Sequence, residues 1–387
     1  MYNILYISHI SSINGAPKSM LGILERLNKE KFHPYVLLPG HGPLEDELKL
    51  LHIDYYIIDY KQNVRKDATE SFSLSECWDF YRGEMEAVCN LCKLINSLNI
   101  DIIHTNCSTV DIGAFAAIIT KKPHVWHVRE FVEDDFGWKF INPVMQKILM
   151  KSSFVLSISK AIREIVRVRY SVKTRTMYDG IDRKEYYKAI DDNKKTNAVT
   201  KLIIAGSILK EKGQKEAIEA VALLLEEGYK VSLSIVGSGN KDYICELNSI
   251  VKEKGIENNI QFIPFTRNPQ EVWSGQDITL VCSKCEALGR VTIESMLAGI
   301  PIVGSNTGGT VELVGQNEER GYLYEKGNVL NLKEKIKHVI LNADEVKKKI
   351  VRAQEFALNK FDIVNYMQSI EFLYIQILER HYNETTI

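Results

Sequence analysis

Two glutamates, Glu286 and Glu294, lie in the stretch CEALGRVTIESMLAGIPIVGSNTGG that begins at Cys285, and Gly289-Arg290 stands between them. Burying an unpaired charge is costly, so carboxylates in a segment that otherwise reads as packed protein need partners. DITLVCS reads as a strand, which makes KCEALGR the loop at its carboxyl end. VTIESMLAG reads as a helix closed by Gly299, with Pro301 just beyond. Glu286 then falls on the loop. Glu294 falls on the early turns of the helix, where the positive end of the macrodipole favours an anion. Backbone N–H groups around Gly289, Arg290 and Val291 form a seat for phosphate, and the Arg290 guanidinium suits bidentate phosphate contact. One loop thus offers carboxylates for sugar hydroxyls and a helix start for a diphosphate. The plainer alternative has Glu286 solvated and Glu294 only complementing the helix dipole; spacing by itself leaves both open.

The elements that must position these groups follow from periodicity. NILYISH, HPYVLLPG, DYYIID, DIIHTN, HVWHVRE and SFVLSIS read as strands. KSMLGILERLNK, LEDELKLLHI, AVCNLCKLINSLNI and VDIGAFAAIIT read as intervening helices. That succession predicts a mostly parallel sheet covered on both faces. The polar DRKEYYKAIDDNKKTNAVT interrupts it as an interdomain connection would, and alternation resumes at KLIIAGS. EAIEAVALLLEEG and YICELNSIVKEKG then read as helices, and KVSLSIVGSG, NIQFIPF, DITLVCS and PIVGSN supply strands. The expected fold class is α/β with two Rossmann-like domains. Their boundaries are 1–182 for an acceptor-side domain, 183–200 for a linker and 201–365 for a donor domain. A final helix at 366–387 is a candidate to pack back on the first domain. Ligands of such sheets gather beyond the carboxyl ends of the strands, so the cleft between two facing domains is the expected site.

Strand ends supply further candidates. Gly237 and Gly239 end one strand where a flat base can approach backbone, and Pro264 and Phe265 lie at a comparable place; ordinary turn chemistry explains both equally well. His104 and Asn106 end another strand. Neither INGAPK nor GSGNKD fits the dinucleotide pattern G-x-G-x-x-G, and no G-x-x-x-x-G-K-[ST] occurs, which argues against an oxidoreductase and a P-loop NTPase. The chain has 387 residues, room for two domains, and a net charge of -1, unsuited to coating nucleic acid. Its seven cysteines are expected as buried free thiols of a reducing cytoplasm. Cys89-x-x-Cys92 lacks a knuckle glycine, so a zinc site with Cys282-x-x-Cys285 is not expected. MYNILYISHI lacks the basic start of a signal peptide, and no apolar run is long enough to span a bilayer.

The Glu286-to-Glu294 pair followed by AGIPIVGSNTGGTVELV strongly resembles the retaining glycosyltransferases of family 4, which have the GT-B fold. AGSILKEKGQKEAIEA, IVGSGNKDY, IQFIPFTRNP and GYLYEKGN follow in the family's order across about the whole second half. INGAPKSM, DIIHTN, HVWHVREF and SISKAIRE match more loosely in the first half. The resemblance implies that Glu294 holds ribose hydroxyls and Glu286 contacts the donor sugar. It further implies that amides of Leu288, Gly289, Arg290 and Val291 bind sugar and phosphates. The family's diphosphate clamp G-R-L-x-x-x-K-G reads here from Gly206 to Gly213. Lys212 matches its lysine, but Ser207 replaces its arginine, and Arg290 is the candidate substitute cation. The loop Asn14-Gly15-Ala16 falls where the family places a glycine-rich loop against the phosphates. His127 matches a histidine near the reacting sugar, and Arg129 and Glu130 are candidates for acceptor contacts.

The implied reaction is sugar transfer from a UDP- or GDP-linked donor to a hydroxyl, with retention and without cofactor. No Asp-x-Asp triplet occurs, which favours transfer without metal. The implied acceptor is a surface polysaccharide or lipid-linked glycan. SKAIREIVRVRYSVKTRT interleaves Arg163 and Arg167 with aliphatics, so 160–175 is a candidate contact with the inner membrane face; an ordinary solvated helix is the alternative. The rival functions are a non-catalytic nucleotide- or sugar-binding partner of the same fold and a nucleotide-sugar epimerase.

Overall fold

The computed structural model describes residues 1–387 except 14, 66–71, 136, 191–198, 267 and 386–387. The chain forms two compact units, Met1–Gly180 joined by Ile363–Ile387, and Ile181–Asp362. In the first unit β1 (Tyr2–Ile7), α1 (Gly15–Arg26), β2 (Phe32–Leu38), α2 (Leu44–Leu50) and β3 (Asp54–Ile57) follow one another. After β4 (Val64–Arg65) come α3 (Leu74–Ser97), β5 (Ile102–Thr105), α4 (Ile112–Thr120) and β6 (His124–Val128). The run ends with β7 (Lys139–Phe140), α5 (Pro143–Lys151), β8 (Phe154–Ser157), α6 (Lys160–Ile165) and β9 (Thr174–Thr176). Seven strands pair in parallel in the order β3-β2-β1-β5-β6-β8-β9, while β4 and β7 make a small antiparallel pair.

Strand alternation sorts this unit's core. Ile4 and Tyr6 of β1 join a cluster with Met20, Ile23 and Leu24 of α1 and Leu44 and Leu48 of α2. Leu5 and Ile7 turn to the opposite face, against Leu91 and Ile95 of α3 and Ile112, Ala116 and Ala117 of α4. The last helix of the chain, α15 (Ile363–Thr385), brings Ile370, Tyr374 and Ile377 into the α1 cluster, over Ile102, Val125 and Leu156. This is why the chain's last segment belongs to its first unit.

The second unit runs α7 (Arg183–Tyr186), β10 (Thr200–Ala205), α8 (Gln214–Glu226), β11 (Val231–Val236), α9 (Lys241–Glu253) and β12 (Ile260–Ile263). It continues through α10 (Pro269–Trp273), β13 (Ile278–Val281), α11 (Arg290–Leu297), β14 (Ile302–Ser305), α12 (Gly308–Val314) and β15 (Tyr322–Tyr324). It closes with α13 (Val329–Leu341) and α14 (Ala343–Lys360). Six parallel strands lie in the order β12-β11-β10-β13-β14-β15.

Several elements exceed the sequence reading. Helix α3 begins at Leu74, ahead of the apolar stretch, because Ser73 and Glu76 form a reciprocal capping box there. Strands β9 and β15 have three residues each and sit at sheet edges, where alternation is too brief to register. The expectation of buried thiols is corrected for Cys89 and Cys245, which are exposed on helices; Cys107 and Cys282 are buried.

The end of β10 is held against that of β13 by glycine. Gly213 has φ +71°, and a Cβ there would lie 2.0 Å from the Cys282 carbonyl oxygen. Gly213→Ala is therefore expected to cost about 3 kcal/mol or more, from left-handed strain plus the clash. Urea unfolding would measure it; a loss under about 0.5 kcal/mol would mean that the loops are not packed this closely.

Candidate functional site

In the second unit the Lys210–Lys212 turn after β10 and the loop after β13 are joined backbone to backbone, with Lys284 N donating to Glu211 O at 2.6 Å. That contact sets Lys212 beside Glu286: Nζ lies 2.9 Å from Oε1, and the Ser283 hydroxyl donates to the same oxygen. The two side chains are 21% and 20% exposed, enough to meet a ligand and little enough to strengthen the pair. Burial pushes the Glu286 carboxyl up, but Lys212 and Ser283 outweigh it, and its pKa lies below the ordinary glutamate value.

The loop that carries Glu286 is pinned along its length. Lys326 Nζ donates to the Cys282 carbonyl at 2.9 Å, Ser305 Oγ to the Ser283 carbonyl at 2.8 Å, and Gly309 N to the Glu286 carbonyl at 2.6 Å. A Cβ on Gly308 would come within 2.6 Å of the Glu286 carbonyl oxygen, so the Gly-Gly pair admits α12 close under the loop. Gly289, at φ +87°, then starts α11. The first amides of that helix, Arg290 and Val291, have no acceptor within it. Leu288 and Gly289 are buried behind them.

Arg290 and Glu294 are one turn apart on α11, with Arg290 Nη2 3.8 Å from Glu294 Oε1. Glu294 occupies the second turn, beyond the helix's first amides, and pairs with Arg290. The carboxylates and both candidate cations are thus gathered on two neighbouring strand ends of one unit. Ser207 is exposed beyond β10, and Gln214 Nε2 donates to its carbonyl at 2.9 Å. Gly237 and Gly239 have a packing reason: a Cβ would meet the Gly206 oxygen at 1.9 Å and the Ile208 oxygen at 2.0 Å, respectively. Pro264 and Phe265 are exposed after β12.

The first unit has a buried polar node at the strand ends. Arg129 Nη1 meets both Asp179 oxygens, at 2.5 and 2.6 Å, and Nε donates to Asn106 Oδ1 at 3.0 Å. Asn106 Nδ2 passes the link to the Ala16 carbonyl at 2.9 Å, and the Ser19 hydroxyl meets Asp179 at 2.8 Å. Sequence reasoning missed Asp179 and Ser19, which no motif marks. Arg129 Nη2 donates to His127 Nδ1 at 3.1 Å, which leaves the imidazole proton on Nε2. Burial, then Arg129, hold His127 well below its ordinary pKa, so the ring is neutral. His127 is fully buried.

Arg129 and Glu130, the candidates for acceptor contacts, both have partners inside the protein. Arg129 is 3% exposed in its ion pair, and Glu130 Oε1 accepts from Ser108 N at 2.6 Å. Gly15 and Ala16 open α1, and Asn14 lies outside the described residues. The stretch 160–175 forms α6, a π turn at Val166–Tyr170 and the approach to β9. Its cations are partly answered locally: Arg167 by Glu164 at 3.1 Å, and Arg169 by Glu133 at 3.3 Å.

Two family models match adjoining stretches of the chain, Glycosyltransferase Family 4 at residues 13–185 and Glycosyl transferases group 1 at residues 186–356. The chain belongs to this glycosyltransferase family, is an enzyme of that class, and has the GT-B fold. Its relatives include N-acetyl-alpha-D-glucosaminyl L-malate synthase of Bacillus anthracis, 24% identical over 62% of this chain and 63% of that protein. The capsular polysaccharide biosynthesis glycosyltransferase CapM of Staphylococcus aureus is 25% identical over 69% of this chain and 74% of that one. Anabaena HepE, solved with UDP and glucose and also with UDP-glucose, superposes at a TM-score of 0.80 with 22% identity, covering 97% of this chain and 100% of its own.

Lys212→Met would leave Glu286 half-buried and unpaired, at an expected cost of about 1–3 kcal/mol near neutral pH. Because the folded-state pKa of Glu286 is depressed, the pair's contribution is present above the unfolded value and lost as pH falls through the folded one. The variant's deficit should therefore shrink toward acid pH in denaturant melts. A deficit that does not change with pH would mean that Lys212 does not hold Glu286.

Proposed function

We propose that the protein is a retaining glycosyltransferase that moves a sugar from a nucleoside-diphosphate donor, UDP-linked in the first instance, to a hydroxyl acceptor without a metal. The observation that carries this reading is the Glu286 carboxylate fixed between Lys212 and Ser283, with Arg290 and Glu294 on the helix that follows. Glu286 would contact the donor sugar, Glu294 the ribose, and Lys212 with the first amides of α11 the diphosphate. Charge growing on the departing diphosphate would meet preorganised cations and backbone dipoles, and this is where most of the catalytic effect would arise. Arg290 supplies the cation absent at Ser207. The UDP and UDP-glucose complexes of HepE support uridine as the base to test first, and CapM supports a polysaccharide or lipid-linked glycan precursor as acceptor. The work would take place at the cytoplasmic side of a membrane; no helix among the described residues is long and apolar enough to cross one.

Thermal shifts with UDP, GDP and ADP in chelator are expected to be largest for UDP; a ligand at ~100 times its Kd adds about 2.7 kcal/mol. Glu286→Gln should lose ~100-fold or more in UDP-sugar turnover while still binding UDP. Full turnover in that variant, or turnover that needs added metal, would overturn the reading. Arg290→Ala should reduce turnover at least ~10-fold more than Lys210→Ala, since Lys210 is exposed and faces Glu246 at 3.3 Å. Equal losses would remove Arg290 from the phosphate site.

A further inference from the structure

The helical layer formed by α3, α4 and α5 in the first unit, with α4 between the other two, has an outer surface that the reading above does not use. At the end of α4, Ile118 and Ile119 are 51% and 57% exposed, and along α5, Val144 and Ile148 are 69% and 53% exposed. Val144 and Ile148 stand four residues apart, on one stripe of their helix. Isolated exposed aliphatics need no explanation, but here two neighbouring helices of one layer carry two each.

The charges on α4 and α5 themselves, and on the residues that directly follow them, have one sign. Lys121 and Lys122 follow α4, while Lys147 and Lys151 share the α5 stripe. Neither 112–129 nor 143–163 contains an Asp or Glu, although acidic residues slightly outnumber basic ones in the whole chain. Among the described residues, no carboxylate pairs with any of these four lysines. Beyond Lys151 the surface continues into a groove of about 520 Å³ lined by Phe154, Lys173 and Arg175. Neighbouring α3 differs: its exposed Leu74 and Trp78 stand among Glu76, Asp79 and Arg82.

We propose that the α4–α5 face docks on an anionic lipid bilayer. Aliphatic side chains would enter the headgroup boundary, and lysines would lay their stems along it while their ammonium groups meet lipid phosphates. A protein partner fits less well, because α4 and α5 expose none of the Trp, Tyr or Arg side chains that anchor protein interfaces. The face is separate from 160–175, whose Arg167 and Arg169 are answered by carboxylates.

The test is co-sedimentation of the full chain with phosphatidylcholine vesicles, with and without phosphatidylglycerol, which needs no knowledge of the sugar substrates. Binding is expected only to the anionic vesicles. At about fivefold per lysine near a charged surface, Lys121→Glu with Lys122→Glu should weaken it by about twentyfold or more. Val144→Glu with Ile148→Glu should weaken it comparably, while Arg163→Glu with Arg167→Glu should leave it within about threefold. All substituted side chains lie at the surface, and unchanged thermal unfolding would confirm that each variant folds. Absence of binding by the native chain, loss only in the Arg163 and Arg167 variant, or indifference to the Val144 and Ile148 change would each overturn the proposal.

Discussion

The second unit depends on one contact between two strand ends, the 2.9 Å pair of Lys212 and Glu286. Neither partner could occupy its position alone, since a half-buried carboxylate without its cation would drift toward the neutral form. The pair in turn requires the backbones beneath it to meet. Gly213 allows this by placing no Cβ against the Cys282 carbonyl, and the Lys284–Glu211 hydrogen bond locks the meeting. The carbonyls of Cys282, Ser283 and Glu286 are then each held from below, so the carboxylate is carried on a rigid platform. Preorganisation of this kind suits a site that must stabilise charge appearing during a reaction.

The first unit solves a related problem with the opposite balance. Arg129 and Asp179 are removed almost entirely from water, where a pair is costly unless every donor and acceptor is used. Here the guanidinium also satisfies Asn106 and His127, and Asp179 reaches Ser19 of α1. The node thereby ties three strand ends to the Gly15–Ala16 start of α1. Nearby, Tyr374 of α15 hydrogen bonds His104 at 2.6 Å and Tyr6 at 2.9 Å, so the last helix is keyed to the same sheet by polar as well as apolar contacts.

Much of the architecture was legible because parallel strands buried on both faces leave continuous apolar runs such as ILYI, and the helices between them keep a period of 3.6. What escaped notice was either short or locally ambiguous. Edge strands β9 and β15 offer three residues each, and the first half of α3 is betrayed only by its Ser73–Glu76 cap. Of the candidate site residues, Glu286, Glu294 and Arg290 were legible from residue type and spacing, and Lys212 from the resemblance to the family's clamp. Asp179 and Ser19 were not, since a buried acid in YDGID and a serine in KSML look like surface residues until folding brings them to Arg129.

The sequence by itself therefore determined the alternation of elements, two α/β units and the chemical types gathered at strand ends, because these follow from periodicity and local propensity. Only the tertiary structure decided which side chains meet. Lys212 finds Glu286 across 74 positions, and Arg129 finds Asp179 across 50. It likewise decided that Arg129 and Glu130 would find partners inside the protein and that, among the described residues, the α4–α5 lysines would have no carboxylate partner. Pairing of charges at a distance depends on strand order and on how closely two backbones approach, and neither quantity is written in local sequence.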